Sequence, residues 1–251
     1  MKTGHYQKTQ FSRVYPKGTR IDSSNYDPFK MWNVGVQMAA LNYQTADRAM
    51  QLNHARFLQN GKCGYVLRPK CMFDDNFNPF DRRTLQDVEH LTLAIKVIAA
   101  RHLRKKSKGI VSPFIEVELV GAEYDCYHFR TSTKVDNGLN PVWKESFRWT
   151  VYNPELAIIR FVVQHEDMFG DPDFLAQAAY PITCLRTGYR SISLKNEFSE
   201  ELELSCLLVH IDIEKHPQED INHNHNPPSE SSTNDQQRAG DETHVLSFQT
   251  N

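Results

Sequence analysis

Apolar residues are spaced differently in the two halves of the chain. From Leu91 onward they alternate with polar ones. Leu91, Leu93, Ile95 and Val97 interleave with Thr92, Ala94, Lys96 and Ile98, and Ile115, Val117 and Leu119 with Phe114, Glu116 and Glu118. A period of two marks strands with one buried face. The pattern predicts strands over 113–120, 127–133, 143–151, 157–164, 189–194 and 202–213 besides the one at Leu91. Asn137-Gly138, Asn140-Pro141, Asn153-Pro154 and Gly170-Asp171-Pro172 supply turns between them. Many short strands with regular turns predict an antiparallel sandwich of about 120 residues.

Before Leu91 the texture differs. Val34 to Tyr43 is nearly continuous in apolar residues. That suits a strand buried on both faces, as in a parallel sheet, although Met38, Ala39, Ala40 and Leu41 equally tolerate a helix. Residues 46–60 are more polar and carry a short helix around Met50-Gln51-Leu52-Asn53 and Ala55-Arg56-Phe57-Leu58. Cys63 to Leu67 reads as a second short buried strand, ended by Pro69. Phe73 to Gln86 is a connector anchored by Phe77 and Phe80. From His216 the chain is rich in Asn, Ser, Glu and Pro, and too poor in aliphatics to offset the entropy of ordering. Residues 216–251 are expected to be a disordered polar tail, in which His216, His223 and His225 lack the scaffold a metal site needs.

Composition narrows the function classes. With 29 Lys+Arg against 31 Asp+Glu, bulk charge suggests no nucleic-acid partner. No apolar run reaches the roughly eighteen residues of a membrane span, and residues 1–8 hold no signal-peptide core. The five cysteines are scattered, without a C-x-x-C pair, as expected of reduced thiols in a cytosolic protein.

Candidate chemistry concentrates in Phe11 to Asn33. The segment is dense in arginine, tyrosine, small hydroxyls and turn residues, and reads as a structured loop rather than a core strand or amphipathic helix. Arg13 offers a planar fork for phosphate oxygens, and Tyr15 a flat apolar face with a polar tip. An ordinary solvated arginine on a surface loop is the alternative. His5 and His54 have no base partner or metal ligand beside them in the sequence and are set aside as catalytic groups.

The wording of this stretch carries a resemblance. Ser12-Arg13-Val14-Tyr15-Pro16, Gly18-Thr19-Arg20, Asp22-Ser23-Ser24-Asn25-Tyr26 and Trp32-Asn33 resemble the Y-box of eukaryotic phosphoinositide-specific phospholipase C. So do Gln37 to Thr45 and Asn60 to Leu67. The sandwich resembles a C2 domain through Gly109 to Phe114, Asp136 to Trp143, Arg160 to Val163, Asp167 and Asp173-Phe174-Leu175. Pro79-Phe80-Asp81, Ala99 to Leu103, Gly121 to Asp125 and Glu166 to Phe169 look most like the gamma class.

The resemblance implies an α/β plus all-β chain: the last strands of a (β/α)₈ TIM barrel followed by an antiparallel β-sandwich C2 domain. The implied divisions are 1–72 for the end of the Y-box half, 73–90 for a linker, 91–215 for the C2 domain and 216–251 for the tail. A whole barrel takes roughly 250 residues, so the chain reads as the C-terminal part of a larger protein, with a short isoform beginning at Met1 as the alternative.

The implied reaction is calcium-dependent cleavage of phosphatidylinositol 4,5-bisphosphate to diacylglycerol and inositol 1,4,5-trisphosphate. Arg13 matches an arginine that binds a ring phosphate, and Tyr15 a tyrosine that packs on the inositol ring. The catalytic histidines and active-site Ca²⁺ ligands belong to the X half and have no counterpart here, so this chain alone is expected to be inactive. The implied partners are a phosphoinositide membrane surface, the X half and tyrosine-kinase signalling proteins, with a cytoplasmic location and peripheral membrane docking on activation. A non-catalytic C2 lipid- or protein-binding module with a vestigial barrel piece is the competing expectation.

In the C2 loops, Asp136, Asp167 and Asp173 are the candidate Ca²⁺ ligands, with Glu166 beside them. Ser112 and His165 stand where the family often has aspartate, so weak binding or ordinary polar loops are both open. Arg101, His102, Arg104, Lys105, Lys106 and Lys108 form a basic cluster that either meets anionic lipid or is solvated. Trp143 is expected to pack in the sandwich rather than wedge into lipid.

Overall fold

The computed structural model describes residues 5–105, 109–167 and 172–217. The described residues belong to one compact unit.

The sandwich is an antiparallel assembly in the order β5-β4-β7-β8-β9-β10-β3-β6. Its strands are β3 (His90–Arg101), β4 (Pro113–Val120), β5 (Tyr127–Arg130), β6 (Val142–Val151), β7 (Ile158–Glu166), β8 (Pro172–Pro181), β9 (Gly188–Lys195) and β10 (Glu201–His216). β8 and β9 meet at a single residue pair, Gln177 with Lys195. The ladder therefore folds there into two four-stranded layers. Leu93, Ile95 and Val97 from one layer and Ile115, Val117, Phe161 and Val163 from the other fill the core between them. At the open edge, Tyr127 stacks on Trp149 and Phe129 packs on Phe147, closing β5 against β6. Trp143 is buried, and its indole N–H donates to the Ser132 carbonyl at 2.8 Å, so it is a core anchor as expected.

β8 was not expected as a strand. Asp171-Pro172 reads as a turn, and Ala176, Ala178 and Ala179 have little strand preference. Burial on both faces overrides that weak local preference. β10 runs on to His216, which stacks on His90 at 5.1 Å and meets Thr92 Oγ1 at 2.8 Å, so this residue belongs to the sandwich. The expected tail from 218 onward, with His223 and His225, lies outside the described residues.

Residues 5–90 wrap the outer face of one layer. Helices α1 (His5–Thr9), α2 (Pro28–Asn33) and α3 (Arg48–Arg56) accompany a two-residue parallel pair, β1 (Arg13–Val14) and β2 (Met38–Ala39). Asp27 caps α2 by accepting from the Phe29 N–H, and Asp47 caps α3 by accepting from the Met50 N–H. Phe29 and Trp32 of α2 and Leu52 and Ala55 of α3 pack on Val120, Ile158 and Ala179 of the sandwich. Burying each larger side chain there contributes roughly 1.5–3 kcal/mol. This cover explains why β7 is buried on both faces.

Four further expectations need correction. The apolar run 34–43 yields only the two-residue strand β2, because β1 is the one described strand that pairs with it. Cys63 to Leu67 is irregular and exposed, with Tyr65 at 78% and Leu67 at 83%, since no described strand lies beside it. Arg13-Val14 is itself a strand, although the segment around it has loop composition. The connector packs on the sandwich. Cys71, Met72 and Leu85 join Leu156 with Phe77 against them, whereas Phe80, the other expected anchor, is 53% exposed.

Candidate functional site

Alternation along an extended segment puts residues two apart on one face. Arg13 and Tyr15 accordingly sit side by side, the guanidinium carbon 5.7 Å from the ring centroid. Both are exposed, and no acidic side chain pairs with Arg13 among the described residues. The fork is thus oriented by an aromatic face while its donors remain open to an anion.

The strand is held by its neighbours. The Met38 N–H donates to the Ser12 carbonyl at 3.1 Å and the Ala40 N–H to the Val14 carbonyl at 2.8 Å. Gln37 Oε1 accepts from both the N–H and the hydroxyl of Ser12 at 3.0 Å. Tyr26 reaches the Val14 carbonyl from the other side at 3.5 Å.

Behind this strand lies a polar lattice. Asn25 Oδ1 accepts from the Asn42 N–H at 2.6 Å, and Asn25 Nδ2 donates back to the Asn42 carbonyl at 3.2 Å. Asn42 Nδ2 and Thr45 Oγ1 donate to the Ser23 carbonyl at 3.0 and 2.7 Å. The Asn25 N–H donates to Asp47 Oδ2 at 3.3 Å, at the cap of α3. The turn-forming residues of this segment were visible in the sequence, but their pairing across seventeen residues was not.

Beside β2 an open groove of about 930 Å³ is lined by Phe11, Trp32, Val36, Tyr43, Tyr65 and Leu67 among others. Its walls are largely apolar, with Arg56 and Arg68 also among the lining residues.

α3 is tied to the sandwich by charge. Glu118 of β4 accepts from Arg48 Nε at 2.9 Å and lies 3.2 Å from Arg160 Nη1 of β7, while Arg160 Nε donates to Gln51 Oε1 at 2.9 Å. Burial alone would push the Glu118 carboxyl up, but the Arg160 and Arg48 guanidiniums outweigh it and hold the group below the usual carboxylate value. Sequence reading missed this cluster, since Glu118 and Arg160 occupy polar positions of alternating strands and look solvent-facing.

At the far end of the sandwich the three expected loops meet. The Leu103 N–H donates to the Gly138 carbonyl at 2.8 Å and the Glu166 N–H to the Ser112 carbonyl at 3.0 Å. His165 is buried, and its Nδ1 accepts from the Ser112 N–H at 3.0 Å. Its Nε2 lies 3.3 Å from the Lys105 ammonium. Asp136 donates its N–H to Ser112 Oγ at 3.1 Å. Glu166 is engaged by Arg130 at 2.7 Å and by the Thr133 hydroxyl, whose bonds hold its carboxyl below the ordinary value. Asp173 pairs across the ladder with His165, and Asp167 follows the end of β7. The described residues contain no group of three or more His, Cys, Asp or Glu placed to hold a metal ion. A neutral hydroxyl, an imidazole and a lysine do not fit a hard dication.

Comparison with known proteins agrees with this architecture. Residues 1–71 match the family model described as "Phosphatidylinositol-specific phospholipase C, Y domain", and residues 91–197 match the C2 domain. The chain belongs to the phosphoinositide-specific phospholipase C family. It is 51% identical over 207 residues to human 1-phosphatidylinositol 4,5-bisphosphate phosphodiesterase gamma-2, covering 81% of this chain. Identity is 47% to the gamma phosphodiesterase plc-3 of Caenorhabditis elegans and 42% to human eta-1, each over 83% of this chain. The chain spans 16% of the length of both gamma relatives. The crystal structure of S. officinalis PLC21 superposes with a TM-score of 0.76 at 35% identity, over 87% of this chain and 28% of that one. Among the described residues, no helix of this phospholipase C chain is long and apolar enough to cross a membrane.

Proposed function

We propose that this chain acts as part of a gamma-class phosphoinositide phospholipase C that cleaves phosphatidylinositol 4,5-bisphosphate. Residues 1–72 serve as the end of the Y half, 73–90 as a packed connector and 91–215 as the C2 domain. Arg13 binds a ring phosphate of the headgroup, and Tyr15 packs on the inositol ring while orienting the guanidinium. The observation that carries this reading is the exposed Arg13–Tyr15 pair at the β1 segment, in a chain 51% identical to a gamma phosphodiesterase. The apolar groove beside β2 is where the other barrel half seats. That half supplies the acid–base groups and the active-site Ca²⁺, which provides charge stabilisation at the phosphoryl group. The C2 domain faces the phospholipid surface, and the assembled protein works at the cytoplasmic face of a membrane under tyrosine-kinase signalling.

The test is reconstitution. Purified residues 1–251, co-expressed with the rest of the barrel of a gamma relative (its histidine-bearing half and the start of its Y half), are expected to form a complex that hydrolyses the lipid, while 1–251 alone does not. Turnover by 1–251 alone, or a stable complex without turnover, would refute the reading.

A further inference from the structure

The Glu118 cluster and the Asn25–Asn42 lattice share one element, α3. Arg48 and Gln51 on its first turns are bonded to Glu118 and Arg160 of the sandwich. Its cap, Asp47, uses one carboxylate oxygen on its own helix, the Met50 N–H at 2.9 Å, and the other on the Asn25 N–H. Asn25 then grips Asn42, two residues beyond Ala40, whose N–H bonds to the Val14 carbonyl next to Arg13. Every link in this series is 3.3 Å or shorter. It runs from the core strands of the sandwich to the strand that presents the arginine.

The cluster is also costly to break. Arg160 and Glu118 are mostly shielded, their side chains 9% and 19% exposed, so each needs the other. Arg48 is 44% exposed and completes the neutralisation from α3. Two cations around one carboxylate fix α3 in both position and rotation, which a purely apolar contact does less sharply.

We propose that Glu118 of the sandwich and Arg48 of α3 are positioning residues for Arg13, fixing the α3 cap and through it the Asn25–Asn42 lattice that holds the arginine strand. The C2 domain thereby sets the geometry of the headgroup contact as well as facing a membrane. The functional meaning rests on the headgroup reading above, but the coupling itself is measurable without it.

Hydrogen exchange on the whole 1–251 chain tests the coupling directly. The variants are Arg48→Gln, Glu118→Gln and, as a control with the same charge change on an exposed pair, Arg148→Gln, whose partner is Glu214. In Arg48→Gln, the amides of Asn25, Ala40 and Asn42 are expected to exchange about tenfold faster, while β4 and β7 stay protected. Glu118→Gln is expected to give the same local pattern, and Arg148→Gln none of it. Unchanged exchange at those three amides in Arg48→Gln would overturn the proposal, as would loosening spread evenly over the sandwich. If Glu118→Gln fails to fold, Arg48→Gln decides alone, because its side chain is half in solvent. Failure of the headgroup reading would show separately, as lipid turnover indifferent to Arg13→Ala in a reconstituted enzyme.

Discussion

The guanidinium of Arg13 lies against the ring of Tyr15, 5.7 Å from its centroid, with no carboxylate to neutralise it among the described residues. An arginine oriented but not paired is prepared for an external anion. In a reconstituted enzyme, Arg13→Ala is expected to reduce turnover of phosphatidylinositol 4,5-bisphosphate more than that of unphosphorylated phosphatidylinositol. A charge-assisted bond to phosphate is worth roughly 1.5–3 kcal/mol, so the selective loss should be about tenfold or more. Parallel assays on the two lipids check this, and equal losses would give Arg13 a structural role.

The loops of the C2 domain make a second expectation. Ser112→Asp with His165→Asp should raise Ca²⁺ affinity, because oxygen ligands and negative charge set affinity in such loops. An aspartate at 165 can still accept the backbone N–H of residue 112. Calorimetry on 1–251, wild type against double variant, should show weak or no binding turning into measurable binding. Tight binding by the wild type would place the ligands elsewhere.

Asp125 gives a pH-dependent expectation. It is fully buried, and burial raises its carboxyl from 3.8 to about 6, even though the Tyr152 and Asn153 N–H groups donate to it and Arg82 lies nearby. Between about pH 4 and pH 6 the folded chain therefore holds a proton that the unfolded chain has released. The stability this group contributes is fully present below about pH 4 and is lost as pH rises through 6. Relative to Asp125→Asn, which cannot ionise, the wild type should lose on the order of 2–3 kcal/mol between pH 4 and pH 7. Urea unfolding of both proteins across that range measures the difference, and parallel curves would contradict the assignment.

Gly138 is expected to be intolerant of a side chain. A Cβ there would meet Val111 Cβ at 2.7 Å and the Leu103 carbonyl oxygen at 2.8 Å. Gly138→Ala should cost about 1–3 kcal/mol and separate the first two C2 loops. Thermal unfolding reads the loss, and exchange at the Leu103 amide, bonded to the Gly138 carbonyl, reads the separation.

That glycine illustrates where sequence reading reaches its limit. Asn137-Gly138 is legible as a turn, but the positive φ falls on Asp136, at 53°, and the glycine is needed for close approach. Most sandwich strands were legible because one face of each meets solvent, leaving alternation in the sequence. β8 was not, since both its faces are covered and its residues are small. Arg13 and Tyr15 were legible through their neighbours in the chain. Glu118, Arg160 and Gln51 were not, because a charged residue covered by a helix from elsewhere in the chain looks the same in sequence as one facing water.

The parallel pair β1–β2 has a practical consequence. Two residues of ladder leave open backbone edges, and next to them Phe11, Tyr65 and Leu67 are 81%, 78% and 83% exposed. Open edges beside apolar side chains are adhesive. A cell or an expression host that makes this polypeptide without a companion must keep that face from sticking to copies of itself, through chaperones, low concentration or rapid turnover. Yield and shelf life of the recombinant chain should therefore improve sharply when a covering partner is produced alongside it.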